Sequence, residues 1–188
     1  MGRRRVLALL AALSLTACGS PPVTGPKADI GGPFRLVDTG GRTVTEADLL
    51  GKPSAVFFGF TYCPEVCPTT LGELTAALAA LGPDADRLNV VFISVDPERD
   101  TPEELARYLS NFDPRIRGLT GSPEAVANTA SAYRAYYRKV PTEDGGYTID
   151  HSSMLYLFDS RGGFVEPVSY GESVQVVTDH LRRLVRNG

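Results

Sequence analysis

The sequence predicts an α/β fold: a central mixed β-sheet flanked by helices, with a β-hairpin extension at its N-terminus. Three observations carry this. Two continuous apolar stretches, residues 53–60 and 88–95, read as strands buried on both faces. Each runs into a helical pattern, the strand–helix alternation of a partly parallel sheet. The chain then closes with a second hairpin and an amphipathic helix, which adds antiparallel strands. Its 188 residues suffice for one well-buried domain and are short for two.

The elements follow in order. Residues 34–38 and 42–44 flank Thr39-Gly40-Gly41, a hairpin signal. The first buried strand, 53–60, delivers the chain directly to Cys63 and Cys67. Leu71, Leu74, Leu78 and Leu81 then form one helical stripe, ended by Gly82-Pro83. The second buried strand ends at Asp96-Pro97, and Glu98-Arg99-Asp100 reads as a solvated charged loop. Thr101 is placed as N-cap and Pro102 as the first residue of a helix that turns Leu105, Leu109 and Phe112 inward. A Ser122-Pro123-Glu124 cap opens a third helix, expected to reach about Tyr137. Residues 139–147 are rich in glycine and acidic groups, and read either as a hinge or docking loop or as a plain hairpin connection. Residues 154–158 and 164–168 are strands around a turn at 159–163, with Met154 counted as core packing. The last helix carries Val174, Val177, Leu181 and Leu184 on one face.

In open α/β sheets, reactive groups gather where strands end and helices begin. Cys63 and Cys67 follow one strand end, Asp96 follows the next and His151 precedes a third strand, so the order of elements brings them to one edge. Pro68 is expected at the first helical position, where its missing N–H costs nothing, so the cysteine pair enters a helix N-terminus that favours thiolate. Two thiolates and an imidazole select copper or zinc. A structural zinc site takes four protein ligands, and His180, the other histidine, lies on the last helix with no ligand beside it and reads as solvent-facing. Copper is therefore preferred, one ion per monomer. Two thiolates favour Cu(I), and the imidazole admits Cu(II). A Cys63–Cys67 disulfide is the competing reading, structural or redox-active, though so short a loop gives it little stabilising power. Asp150 either orients the imidazole through a hydrogen bond to its far nitrogen or points away. Asp96 is either a site-edge carboxylate or a helix cap.

Arg3, Arg4 and Arg5 precede an apolar core, residues 6–15, too short to span a bilayer. Leu15-Thr16-Ala17-Cys18 then looks like a bacterial lipobox, which predicts a signal peptide over 1–17 and lipidation of Cys18; a plain secretory signal is the alternative. Residues 18–32, rich in Gly and Pro, read as a flexible tether to a domain spanning 33–188. The expected location is the periplasmic face of a bacterial membrane, with a lipid anchor. Cleavage removes three arginines and no acidic residue, so the formal charge moves from −3 to −6. With no basic run to neutralise phosphates, nucleic acid is excluded as a partner.

Three segments together are similar to the Sco/SenC family of thioredoxin-fold copper chaperones for cytochrome c oxidase. They are Gly59-Phe60-Thr61-Tyr62-Cys63-Pro64-Glu65-Val66-Cys67-Pro68-Thr69-Thr70-Leu71, then Ser94-Val95-Asp96-Pro97-Glu98-Arg99-Asp100-Thr101-Pro102, then Asp150-His151-Ser152. The resemblance covers nearly the whole globular part. It implies a thioredoxin-like fold, copper held by Cys63, Cys67 and His151, and a role in loading the CuA centre of oxidase subunit II. Such a carrier is not an enzyme in the turnover sense, and it needs an upstream copper donor and a thiol reductant. The alternative is a thiol–disulfide oxidoreductase that reduces the CuA-site cysteines. Against that alternative, three residues rather than two separate the cysteines, and the segment leading into the last hairpin, residues 149–154, holds no proline.

Overall fold

The computed structural model describes residues 29–188. The expected signal peptide, Cys18 and the tether as far as residue 28 lie outside the described residues. Strands β1 (Arg35–Asp38) and β2 (Thr43–Thr45) form the expected N-terminal hairpin, whose turn is closed by the Asp38 carboxylate accepting from the Gly40 and Arg42 amides at 3.0 Å. Strand β3 (Ser54–Gly59) leads through helix α1 (Val66–Leu81) to β4 (Asn89–Ser94), and α2 (Pro102–Leu109) leads on to β5 (Ile116–Thr120). Helix α3 (Pro123–Ala132) precedes a two-stranded ribbon, β6 (Tyr137–Pro141) with β7 (Tyr147–His151). Strands β8 (Met154–Phe158) and β9 (Phe164–Ser169) and helix α4 (Val174–Asn187) complete the domain. Seven strands make one mixed sheet in the order β2-β1-β5-β4-β3-β8-β9, and β6 and β7 pair only with each other. The β3–β4 and β4–β5 pairs are parallel.

Alternation along β3 explains why its sequence is apolar throughout. Phe57 meets Phe92 of β4 on one face, with ring centres 5.9 Å apart, while Phe58 meets Tyr133 and Tyr156 on the other at 5.6 and 5.9 Å. Both faces are covered, so neither set of alternate positions is left for polar residues. Two helix starts hold as read: Thr101 and Ser122 each accept the amide three residues on, from Glu104 and Ala125, and Ser173 does the same for Val176 at the start of α4. Helix α2 lies so close to β5 that a Cβ on Gly118 would stand 2.5 Å from Leu109 Cδ1 and 2.8 Å from Leu105 Cγ.

The third helix ends at Ala132 rather than near Tyr137. Arg134 takes a left-handed φ of 52°, with the Ala135 amide donating to the Ala130 carbonyl and the Arg134 amide to that of Ser131. This is a Schellman closure, the stop that glycine usually signals, and an arginine hides it from a sequence reading. The 139–147 stretch belongs to a hairpin: its ends are strand, in a ladder that runs from Tyr137 opposite His151 to Pro141 opposite Tyr147, and residues 142–146 connect the two strands. Strand β5 carried no clear sequence pattern; Gly118 interrupts it at the point of closest helix approach. Met154 leaves the core, at 36% exposure, because it opens β8 at the sheet edge. Residues 29–32 of the expected tether are packed against the domain: the Gly31 amide donates to the Ala132 carbonyl, and Arg134 Nε to the Asp29 carbonyl.

Gly118→Ala is expected to lower the unfolding free energy by about 1–3 kcal/mol, since Leu105 and Leu109 must shift off the sheet to admit the methyl group. Urea denaturation measures this, and an unchanged midpoint would contradict the packing.

Candidate metal centre

Strands β3 and β4 run parallel and β8 runs antiparallel to β3, so the ends of the first two and the start of the third lie at one edge of the sheet. The cysteine loop leaves β3 at that edge, and β7 brings His151 to it just before β8 begins. Cys63 Sγ, Cys67 Sγ and a His151 ring nitrogen all lie within 4.8 Å of one another. Among the described residues this is the one group of three or more Cys, His, Asp or Glu side chains so placed. His151 Nε2 stands 3.5 Å from Cys67 Sγ and 3.9 Å from Cys63 Sγ. With zinc–ligand lengths as a guide, a sulfur and a nitrogen sharing one ion at trigonal or tetrahedral angles stand about 3.6–3.8 Å apart. The donor set therefore fits one ion with little rearrangement. Gly59 makes room for the Cys67 sulfur, because a Cβ there would lie 2.6 Å from Cys67 Sγ and 2.8 Å from the Phe92 ring.

Helix α1 starts at Val66, two residues before the expected Pro68, which places Cys67 itself in the first turn. Pro68 still costs no hydrogen bond, since the first four helical N–H groups have no partner within the helix. Glu65 stands at the N-cap without a side-chain cap bond; instead the Cys67 amide donates to Cys63 Sγ at 3.3 Å. The two thiols diverge accordingly. The hydrogen bond from the Cys67 thiol pulls the Cys63 pKa down to about 4 against the opposing effect of burial, helped by His151 and by the Cys67 and Glu65 amides. Cys67 moves up, through the same bond to Cys63, through burial and through the Cys63 charge. Both cysteines are free thiols here, Cys67 fully buried and Cys63 at the surface of the core.

The His151 ring is set by its own backbone neighbour. Its Nδ1 lies 3.0 Å from the Ser152 carbonyl, which can only accept, so Nδ1 carries a proton and the lone pair of the neutral ring sits on Nε2, toward the sulfurs. Phe57 and Phe60 meet the ring edge-on at 6.2 and 5.7 Å. Burial alone would lower the His151 pKa; hydrogen bonds to Cys63 and to the Ser152 carbonyl outweigh it, and the net shift is upward.

The remaining expected site residues do not touch the three donors. Asp150 follows strand alternation onto the opposite side of β7, where its carboxylate is 63% exposed and pairs with Arg138 at 3.6 Å. The part of imidazole orienter belongs to the Ser152 carbonyl instead. Asp96 is fully buried and is neither a site-edge group nor a helix cap: it accepts from the Tyr147 hydroxyl at 2.8 Å and pairs with Arg99 Nε. His180 is not free in solvent, for its Nδ1 lies 2.6 Å from Glu166 on β9. Of the charged run after β4 only Glu98 is solvated. Asp100 is fully buried and accepts from the Thr61 amide at 3.0 Å, the Thr61 hydroxyl at 2.6 Å and the Ser94 hydroxyl at 2.6 Å. It staples the cysteine loop to the end of β4. The available sequence signal was that hydroxyl residues, Thr61 and Ser94, sit at the ends of two adjacent strands.

A thiolate at Cys63 and a thiol at Cys67 predict one-sided chemistry. Alkylation of the metal-free, reduced protein should fall on Cys63, persist at pH 5 and decline as the pH drops through about 4. Peptide mapping after iodoacetamide treatment reads this; equal labelling of both sulfurs would refute the asymmetry.

The SCO1/SenC family model matches residues 22–186. Protein SCO1 homolog 1, mitochondrial, of Arabidopsis thaliana is 43% identical over 161 residues, 85% of this chain and 48% of the relative, so the chain spans about half the length of that protein. Protein SenC of Rhodobacter capsulatus is 41% identical over 154 residues, 82% of this chain and 70% of SenC. The solved structure of Bradyrhizobium japonicum ScoI with copper bound aligns at 50% identity with a TM-score of 0.78, over 82% of this chain and 99% of that one. The mixed sheet with its four helices is the thioredoxin-like architecture of the Sco structures. The family match takes in every described residue except the last two, and the chain therefore belongs to the SCO1/SenC family.

Proposed function

We propose that this protein carries one copper ion on Cys63, Cys67 and His151 and delivers it to the CuA centre of cytochrome c oxidase subunit II. The observation that carries the reading is the convergence of two sulfurs and a correctly presented Nε2 within 4.8 Å. The solved relative from Bradyrhizobium japonicum with copper bound supports it. Cys63 offers its thiolate ready-made, and an arriving cation displaces the Cys67 thiol proton and any proton on Nε2. Loading therefore releases protons and strengthens as pH rises. Release begins at the more accessible sulfur, Cys63, where a recipient thiolate can exchange in. An upstream donor refills the site, and a dithiol reductant restores the pair after oxidation.

One observation favours a second reading. Attacking and buried thiols differ as thiol–disulfide exchange requires, with Cys63 nucleophilic and Cys67 positioned to resolve the mixed disulfide. In that reading the protein reduces the CuA-site cysteines. The two functions separate at His151, which metal holding needs as a ligand and thiol exchange uses only as a lesser aid to the Cys63 thiolate, behind the Cys67 thiol.

The reduced protein is expected to bind one copper per chain, and the oxidised protein none at this site, since a disulfide has lost its anionic sulfur. Metal content after copper exposure, with and without prior reductant, measures this; full loading of Cys63→Ser/Cys67→Ser would falsify the assignment. His151→Ala should weaken Cu(II) holding by about 10-fold or more and Cu(I) holding much less, while disulfide exchange continues. Wild-type oxidase assembly at low copper in a His151→Ala strain, with failure in Cys63→Ser, would favour the reductase.

Lipidation of Cys18 belongs to the same reading, placing the carrier on the periplasmic face of the membrane. Among the described residues no helix is long and apolar enough to cross a bilayer. The intact mass of membrane-extracted protein should exceed that of a polypeptide beginning at Cys18 by a lipid modification. A water-soluble product starting elsewhere would rule the anchor out.

A further inference from the structure

The β6–β7 ribbon that carries His151 has no ladder to the main sheet. Its polar attachments to the rest of the domain converge on the segment after β4. Asp96 accepts from the Tyr147 hydroxyl at 2.8 Å and pairs with Arg99 Nε. Arg99 Nη1 donates to the Tyr147 carbonyl at 3.0 Å. Its guanidinium lies 3.8 Å from the centre of the Tyr147 ring, 4.6 Å from that of Tyr62 and 5.9 Å from that of Phe60. Lys139 on β6 adds an ion pair to Glu98 at 2.6 Å. Tyr147 opens the strand that ends at His151, whereas Phe60 and Tyr62 belong to the cysteine loop. One cation touches both halves of the site.

We propose that Arg99, held by Asp96, is a positioning residue of the metal centre: it clamps the His151 strand to the cysteine loop and sets the spacing of imidazole and sulfurs before an ion arrives. The proposal rests on the copper-holding reading above. A guanidinium suits the task because its plane stacks on aromatic rings while separate N–H groups reach Asp96 and the Tyr147 carbonyl; an ammonium cannot do both. Without Arg99 the ribbon keeps its buried Ile149 and a tie at its base, where the Ser152 amide donates to the Tyr136 carbonyl and the Tyr136 amide to Ser152 Oγ. The imidazole then departs from the sulfurs for part of the time. The cysteine loop stays in place, because Asp100 holds it through Thr61. The loss falls on Cu(II), which needs the imidazole, more than on Cu(I).

The test compares Arg99→Ala, Arg99→Lys, His151→Ala and the Arg99→Ala/His151→Ala double variant in the full chain. Each is titrated with Cu(I) and Cu(II), the thiolate-to-Cu(II) absorption is recorded, and amide hydrogen exchange of the metal-free protein is measured. Arg99→Ala should weaken Cu(II) binding by about 10-fold or more, with Cu(I) binding held within about threefold. Its absorption should move toward that of His151→Ala, exchange in β7 should quicken, and Arg99→Lys should recover part of the loss. On the His151→Ala background, removing Arg99 should change Cu(II) affinity no further, the signature of a residue that acts through His151. Equal losses on the two backgrounds, or a wild-type affinity and spectrum in Arg99→Ala, would overturn the proposal. Should Arg99→Ala fail to fold, Tyr147→Phe deletes only the hydroxyl bonded to Asp96 and is judged by the same outcomes. Undiminished loading of Cys63→Ser/Cys67→Ser would instead strike the copper-holding reading itself.

Discussion

The contact between Asp100 and Thr61 organises the functional edge of this protein. Asp100 is fully buried and makes no ion pair among the described residues; its charge is met by the Thr61 amide and the hydroxyls of Thr61 and Ser94. Burial still raises its pKa, against the pull of those bonds. A buried carboxylate stripped of its donors costs several kcal/mol, so the cysteine loop cannot drift from the end of β4 without a large penalty. The Asp100 carbonyl also accepts from Thr120 at the end of β5. Two strand ends and the cysteine loop are thereby referred to a single residue.

With the loop fixed, the remaining asymmetries follow from depth. Cys63 lies where a helix N-terminus and a neighbouring thiol can stabilise its charge, whereas Cys67 lies buried against Gly59, where the Cys63 and Asp100 charges both oppose a second anion. Two sulfurs four residues apart would titrate alike on an exposed helix. Packing against β3 separates them, and it gives one protein an anionic ligand and a proton reservoir side by side. The imidazole completes the set from a ribbon outside the sheet.

The two apolar strands, two of the N-cap residues and the cysteine pair were legible because each leaves a local mark: unbroken hydrophobicity, a Ser or Thr before Pro, two cysteines at a strand end. The departures share a different cause. Arg134 does the work of a glycine in a Schellman closure, with its strain met by tertiary contact to Asp29, so no local pattern announces the stop. Arg99 and Asp100 look like part of a solvated charged run, and Asp96 like a cap or site-edge group, because burial of a charge is decided by partners 39 to 51 residues away. Asp150 is adjacent to His151 in sequence and turned away from the sulfurs in space because a strand turns successive side chains to opposite faces. Proximity along the chain was the wrong measure there, and strand alternation the right one.

The acceptor that orients His151 is the main-chain carbonyl of Ser152. An imidazole steered by a side-chain carboxylate can be disoriented by a single base change in the gene. Here no replacement of the side chain at position 152 deletes the carbonyl, and what such a replacement removes is the hydroxyl's bond to the Tyr136 amide. The ring's tautomer is thus insulated from genetic drift at its nearest neighbour, and sequence variation at that position can proceed without erasing the lone pair that faces the sulfurs.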